Sequence, residues 1–223
     1  MIISHKHKFI FVKTKKTAGT SIETLLASIC GEEDIITEIS EEEFRKEKFG
    51  ISSQNILVPT NRYTIIDWLR LIFYRRRKKF TAHMSSIEII RYIGHKKWKE
   101  YYTFCYDRNP IDKTKSMFNW KGGLSKYSSF DEFLRKHRSY EISNWNFYTK
   151  NNNIILDRVY NLDHLDETLI ELSKRFNVKW KYSINEIKFK TNIRKYNFDI
   201  TSQHIKKIKK IHAKEINLLG YDI

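Results

Sequence analysis

Residues 9–21, Phe-Ile-Phe-Val-Lys-Thr-Lys-Lys-Thr-Ala-Gly-Thr-Ser, constrain the fold more than any other stretch. Phe9 to Val12 are apolar and partly β-branched, which is the pattern of a short buried strand. Thr14 to Gly19 form a tight, lysine-bearing loop. Beyond it, Ile22, Leu25 and Leu26 fall on one face of a helix that opens at Gly19. A strand delivered into a helix N-terminus gathers free backbone N–H groups and the positive dipole end at one point. Lys15 and Lys16 add charge there, so the loop is expected to hold a phosphate-like group.

The alternation of strand and helix continues. Tyr101 to Tyr106 read as a second strand, followed by Asp107-Arg108-Asn109-Pro110. Asn109 is placed as an N-cap and Pro110 as the first residue of a helix to about Trp120, ended by Gly122-Gly123. Ser85 and Glu88 make a capping box for a helix from Ser86 to Ile93, stopped at Gly94, and His83 lies on the loop before it. Ser129 and Glu132 mark a helix to about His137. Ile154 to Tyr160 read as a third strand. A helix from Asp163 to Phe176 follows, carrying Leu165, Leu169, Leu172 and Phe176 on one stripe. Glu32 to Glu47 read as a solvated loop or short helix, Asn55 to Tyr63 as loop, and 177–198 as a loop-rich basic stretch. A basic amphipathic helix spans Thr201 to Leu219, with Ile205, Ile208, Ile211 or His212, Ile216 and Leu219 inward, and Gly220 caps it. This order predicts one α/β domain over residues 1–223 with a largely parallel sheet.

Composition bounds the partners. Lys and Arg exceed Asp and Glu by 42 − 26, a formal charge of +16. An anionic partner follows: nucleic acid, an anionic surface or a polyanionic small molecule. A bias towards Lys, Ile and Asn produces the same excess with no partner at all. Ile65 to Tyr74 read as a helix, and Arg75-Arg76-Arg77-Lys78-Lys79 is either its basic C-terminal end or a nucleic-acid or membrane-surface patch. Lys206-Lys207 and Lys209-Lys210 are the solvated face of the last helix. No run of eighteen apolar residues suggests a membrane span. The opening MIISHKHKFIF runs straight into the first strand and lacks the pattern of a signal peptide, so a cytoplasmic location is expected. Cys30 and Cys105 are too few for a disulfide framework and are expected reduced and buried.

The first loop fails the Walker pattern G-x-x-x-x-G-K-[ST], because its lysines precede the glycine and no glycine opens it. A Mg²⁺-bound triphosphate is therefore poorly supported. A second anion contact arises at Arg108, at the end of the second strand, with Ser116 two turns into the next helix. In open parallel sheets, ligands collect at such strand ends. The alternative is that Arg108 pairs with Asp107 or Asp112.

Four stretches carry a family resemblance. KFIFVKTKKTAGTSIE resembles the 5′-phosphosulfate loop, written P-K-T-G/A-G-T-S, of the sulfotransferases that use 3′-phosphoadenosine-5′-phosphosulfate (PAPS). TAHMSSIEIIRYIGHKKWKEYYTFCYDRNPIDKTKSMFNW resembles their histidine loop followed by the 3′-phosphate strand and helix. YNLDHLDETLIELSKRFNV resembles a later strand–helix segment, and IKKIKKIHAKEINLLGYDI the closing helix. The nearest branch is the bacterial and carbohydrate sulfotransferases related to heparan sulfate 2-O-sulfotransferase.

The resemblance implies a P-loop-like three-layer fold and transfer of a sulfuryl group from PAPS to a hydroxyl, on a sugar or glycan. Lys16 matches the lysine at the leaving oxygen, with Lys15 beside it. Thr17, Ala18, Gly19, Thr20 and Ser21 match the loop around the 5′-phosphate. Arg108 and Ser116 match the 3′-phosphate pair, and His83 the general base. Tyr196 matches a segment that packs near the nucleotide. Histidine, with a pKa of about 6.5, suits proton removal from an alcohol. The family needs no metal, and 3′,5′-adenosine bisphosphate is its product. Two departures stand out. Lys15 replaces the usual proline, and Asp107 replaces an apolar residue, placing an acid where it would weaken the 3′ site. The alternatives are a kinase-like P-loop nucleotide enzyme and a basic nucleic-acid-binding module; nucleic acid is not the expected partner. The acceptor-facing residues, about 45–80, carry no readable motif.

Overall fold

Period-two alternation sends Phe9, Phe11, Phe104 and Tyr106 into one apolar cluster and Ile10, Val12 and Cys105 into another. Both faces of the sheet are therefore buried, which is why these strands are apolar at successive residues. The computed structural model describes residues 1–187, Phe189 and 198–223. Tyr196 lies outside the described residues.

The strands in chain order are β1 (Ile2–Ser4), β2 (Phe9–Phe11), β3 (Ile35–Ile36), β4 (Tyr102–Asp107), β5 (Thr149–Lys150), β6 (Asn153–Ile154) and β7 (Arg158–Asn161). The helices are α1 (Gly19–Ala27), α2 (Glu42–Phe49), α3 (Ile65–Tyr74), α4 (Ser86–Ile93), α5 (His95–Glu100), α6 (Pro110–Trp120), α7 (Phe130–Lys136), α8 (Ser139–Ile142), α9 (Trp145–Tyr148), α10 (Leu165–Phe176), α11 (Ser202–Ile211) and α12 (Ala213–Leu219). The main sheet has the order β3-β1-β2-β4-β7. β2, β4 and β7 run parallel, whereas β1 is antiparallel to both of its neighbours. The protein is thus α/β, with a mixed sheet whose centre is parallel.

Helices cover both faces. Ile22, Leu25 and Leu26 of α1 and Leu169, Leu172 and Phe176 of α10 lie on the Phe9/Phe104 side. Ile89, Tyr92 and Ile93 of α4 lie with Trp98 and Tyr148 on the other. A third cluster joins Met117 and Phe118 of α6 to Phe130, Phe133 and Leu134 of α7 and Ile208 of α11.

Local signals place the helix starts. Ser85 and Glu88 form both halves of the expected capping box, and α4 spans Ser86–Ile93. Asn109 caps α6 by accepting from the Ile111 amide, with Pro110 at the first helical position. Ser129 caps α7.

Four expectations are corrected. The N-terminal residues do not run straight into the first strand. They form β1 and turn back, because the Asp34 carboxylate accepts from Ser4 Oγ (2.7 Å) and from the amides of His5 and Lys6. The strand expected over 154–160 is split. Ile154 belongs to the β5–β6 hairpin, and β7 starts at Arg158, after Asp157 has accepted from the Thr103 amide and hydroxyl. The helix expected from Asp163 starts at Leu165, after a 3₁₀ turn over Leu162–His164. The last helix is broken at His212 (φ −108°, ψ 16°). Its fully buried positions are His204, Ile208, His212 and Glu215, whereas Ile205, Ile211, Ile216 and Leu219 are only half-buried. At the break, His212 is 3.2 Å from Thr114 Oγ1 and 2.9 Å from Glu215 Oε2, and Glu215 is bound by Lys113. Cys105 is buried and Cys30 half-buried, both as free thiols.

Candidate functional site

The turn from β2 into α1 places two non-glycine residues in the left-handed region, Lys16 (φ 60°) and Ala18 (φ 53°). Such residues are costly and are held by surrounding contacts. Thr14 Oγ1 donates to the Tyr106 carbonyl at the end of β4 and lies 2.9 Å from Thr17 Oγ1. Asn144 grips Lys15 from both sides: Oδ1 accepts its amide and Nδ2 donates to its carbonyl, each at 3.0 Å. The Lys13 ammonium turns inward to Glu23 Oε2, 2.8 Å away, and its stem passes under Gly19. A Cβ on Gly19 would lie 2.9 Å from Lys13 Cγ, so this glycine allows the helix end to sit against a lysine stem.

The amides of Lys16 to Ser21 find no acceptor among the described residues, and neither do the half-buried Thr20 and Ser21 hydroxyls. The amides of Gly19, Thr20 and Ser21 are the orphan donors of the α1 N-terminus, and those of Lys16 to Ala18 belong to the loop before it. Thr17 differs from its neighbours: its hydroxyl is buried and committed to Thr14, leaving only its amide.

Cations converge here. Burial first, then the charge of Arg108, lowers the pKa of Lys16; burial first, then the charge of Lys121, lowers that of Lys15. Lys16 Nζ stands 5.7 Å from the centre of the Trp120 ring on α6, and Lys15 Nζ 5.2 Å from that of Phe147. On α6, Asp112, Ser116 and Trp120 succeed one another at i, i+4 and i+8, a single stripe beginning below Arg108. The structure therefore brings the expected Lys16 and Arg108 within electrostatic reach, with Ser116 on the helix between Arg108 and Trp120. Arg108 approaches Asp112 only to 3.7 Å, and both are partly exposed. Such a pair contributes about 0–1 kcal/mol and leaves the guanidinium available.

Asp107 does not stand as a free acid beside Arg108. Asp107 is fully buried and its charge is answered from within. Oδ1 accepts from Lys113 Nζ (2.7 Å), the Arg108 amide (2.8 Å) and Asn144 Nδ2 (3.1 Å), and Oδ2 from the Tyr148 hydroxyl (2.9 Å). Lys113 Nζ also reaches Glu215 Oε1 at 3.0 Å, and that oxygen accepts from Ser143 Oγ and the Asn144 amide. Burial alone would lower the Lys113 pKa, but the charges of Asp107 and Glu215 raise it. Burial alone would raise Glu215; the His212 hydrogen bond and the Lys113 charge outweigh it and hold the carboxyl below its ordinary range. The network fixes the Lys15 backbone, the end of β4 and α12 relative to one another.

His83 sits against the loop. Its Nδ1 is 3.0 Å from the Lys13 carbonyl, and its ring is 6.3 Å from that of Phe147, beside Lys15. A carbonyl only accepts, so Nδ1 carries the hydrogen and Nε2 presents a lone pair. Desolvation, with the charges of Lys13 and the N-terminal ammonium, pushes the pKa down to about 4 against the bond to Lys13. The residue as a whole is nonetheless exposed to solvent. Nε2 has no hydrogen-bond partner among the described residues.

A cleft of ≈ 390 Å³ is lined by Ala18 and Ser21 together with Asp163, His164, Asp166 and Glu167. Those carboxylates suit neutral hydroxyl-bearing groups better than phosphate. Tyr221 closes the neighbouring strand end by donating to Asn161 Oδ1 (2.9 Å).

Sequence reasoning passed over Lys13, Lys113, Asn144, Phe147 and Trp120. Trp120 alone had a local signal, its place four residues after Ser116 on the same helical face. Among the described residues, no group of three or more His, Cys, Asp or Glu is arranged to hold a metal ion. The chain matches no family model, no curated protein and no solved structure.

Proposed function

We propose that the protein is a PAPS-dependent sulfotransferase of P-loop-like architecture, acting on a hydroxyl of a sugar or glycan. The observation that carries this reading is the mutual approach of Lys16 and Arg108 from two different strand ends. Lys16 feels the charge of Arg108 and Lys15 that of Lys121, and the amides of Lys16 to Ser21 have no acceptor among the described residues. A cluster of like charges with free donors is relieved by an anion. Two cationic positions on separate strands fit a ligand with two separated phosphates better than a linear triphosphate.

In this assignment the amides of Lys16 to Ser21 and the Thr20 and Ser21 hydroxyls hold the 5′ side, and Arg108 with Ser116 the 3′ side. Lys16 supplies positive charge where a leaving oxygen develops negative charge. His83 accepts the acceptor's hydroxyl proton at Nε2, while its Nδ1–H stays on the Lys13 carbonyl and holds the ring in place. Asn144 positions the loop through the Lys15 backbone.

Thermal-shift titration with 3′,5′-adenosine bisphosphate against Mg-ATP separates this reading from a kinase-like one. Incubation with labelled PAPS and a panel of glycans and small alcohols then reads transfer directly. Stabilisation by Mg-ATP alone sinks the proposal.

A further inference from the structure

Helix α3 turns its apolar side away from the protein. Ile65, Ile66, Trp68, Leu69, Ile72 and Phe73 are all exposed, Ile65 by 80% and Phe73 by 72%. At 3.6 residues per turn these six side chains cover one continuous arc of about 160°. The opposite side holds Asp67, which is buried and accepts from the Tyr92 hydroxyl (3.1 Å) and from the Thr64 amide and hydroxyl. Trp68 packs edge-on against Tyr63 at 5.5 Å. The helix is therefore pinned by its polar face, with its apolar face outward.

Cations lie at the edge and end of this face. Arg70, Arg75, Arg76 and Arg77 are exposed, and none pairs with a carboxylate among the described residues. Lys78 and Lys79 continue the run, with Lys78 over the Tyr92 ring and Lys79 paired to Glu38.

We infer that α3 and the arginines after it form an interfacial anchor that lies in the plane of an anionic lipid membrane. The partner must take apolar side chains and answer a row of guanidinium groups at the same place. A nucleic-acid backbone does the second but offers nothing to isoleucine and phenylalanine. A second copy of this face does the first but brings no carboxylates to answer the arginines. Acyl chains beneath anionic headgroups do both. Ten residues make a helix about 15 Å long, half of what a span requires, so it lies along the surface rather than across it. No described helix is long and apolar enough to cross a membrane. The inference stands independently of the chemistry assigned to Lys16 and His83.

The test is flotation of the full chain with vesicles of pure phosphatidylcholine or of equal parts phosphatidylcholine and phosphatidylglycerol. Binding is expected to the anionic vesicles, weakening as salt rises. Each arginine among Arg75, Arg76 and Arg77 replaced by glutamine should lower partitioning about fivefold, and all three roughly a hundredfold. Ile72→Glu with Phe73→Glu should abolish binding and leave the melting temperature unchanged, because both side chains are solvent-exposed. Equal binding to both vesicles, binding to neither, or undiminished binding by the Ile72→Glu/Phe73→Glu protein overturns the inference. A protein that floats with neither vesicle but changes from dimer to monomer with those two substitutions overturns it in favour of a second copy.

Discussion

Lys113 Nζ lies 2.7 Å from Asp107 Oδ1, and both side chains are wholly inaccessible to solvent. Removing one member of such a pair strands the other as a buried charge, which costs about 3–5 kcal/mol. Lys113→Met is therefore expected to lower stability by that order, read as a drop in the denaturant midpoint at unchanged slope. Exchanging only Glu215 for Gln should cost less. Its Oε1 remains an acceptor for Ser143, the Asn144 amide and Lys113, and Asp107 still answers the ammonium. Equal losses for the two substitutions would show that Asp107 and Glu215 share the charge evenly.

Gly19 meets the stem of Lys13 rather than a strained dihedral angle. Alanine there would push Lys13 Cγ from 2.9 Å, and this lysine cannot swing away without leaving Glu23. Overpacking of this kind costs about 1–3 kcal/mol. Gly19→Ala should show that loss in thermal melting, and ligand affinity should fall with it because the same residue opens α1. A fully stable Gly19→Ala protein would place the Lys13 stem elsewhere.

The helix boundaries were legible because their causes are local. Ser85 with Glu88, Asn109 with Pro110 and Ser129 each carry a cap within three residues of the start they set. The strand, loop and helix from Phe9 to Ala27 were legible for the same reason. The Asp107 network was not. Lys113 and Glu215 are 102 residues apart, and an acid beside an arginine reads as an exposed ion pair until its partners are known. The β1 turn was hidden likewise, since it is held by Asp34, 28 to 30 residues on. The break at His212 was hidden because hydropathy gives no weight to a buried face made of His204, His212 and Glu215. α3 was legible in extent but not in direction. Its apolar pattern does not say which way the helix faces, and the anchoring of Asp67 with the exposure of Ile65, Ile72 and Phe73 does.

The 3′-phosphate assignment separates Arg108 from its weak partner. Arg108→Ala should cost at least tenfold in affinity for 3′,5′-adenosine bisphosphate, since charge-assisted hydrogen bonds contribute about 1.5–3 kcal/mol. Asp112→Ala should leave stability within about 0.5 kcal/mol and affinity unchanged or slightly higher, because it frees the guanidinium. Calorimetric titration of the two variants checks both. An Arg108→Ala protein that binds as the parent does would remove Arg108 from the site.

His83 gives a pH signature. Its folded pKa is about 4, against about 6.5 for a free imidazole, so the folded state favours the neutral ring. A base must be unprotonated, so kcat/KM should stay level as pH falls through 6.5 and decline only as it nears the folded pKa. The same shift makes His83 a source of stability that is complete above pH 6.5. It is lost progressively as pH falls from there through about 4, because the unfolded chain binds the proton first. His83→Ala should lower turnover by about 10²–10⁴-fold, leave binding of 3′,5′-adenosine bisphosphate intact, and flatten the acid limb of the profile. His83→Gln, which restores a donor near the Lys13 carbonyl but not a base, should recover folding stability and not turnover. A His83→Ala protein that turns over normally would assign proton removal to another group.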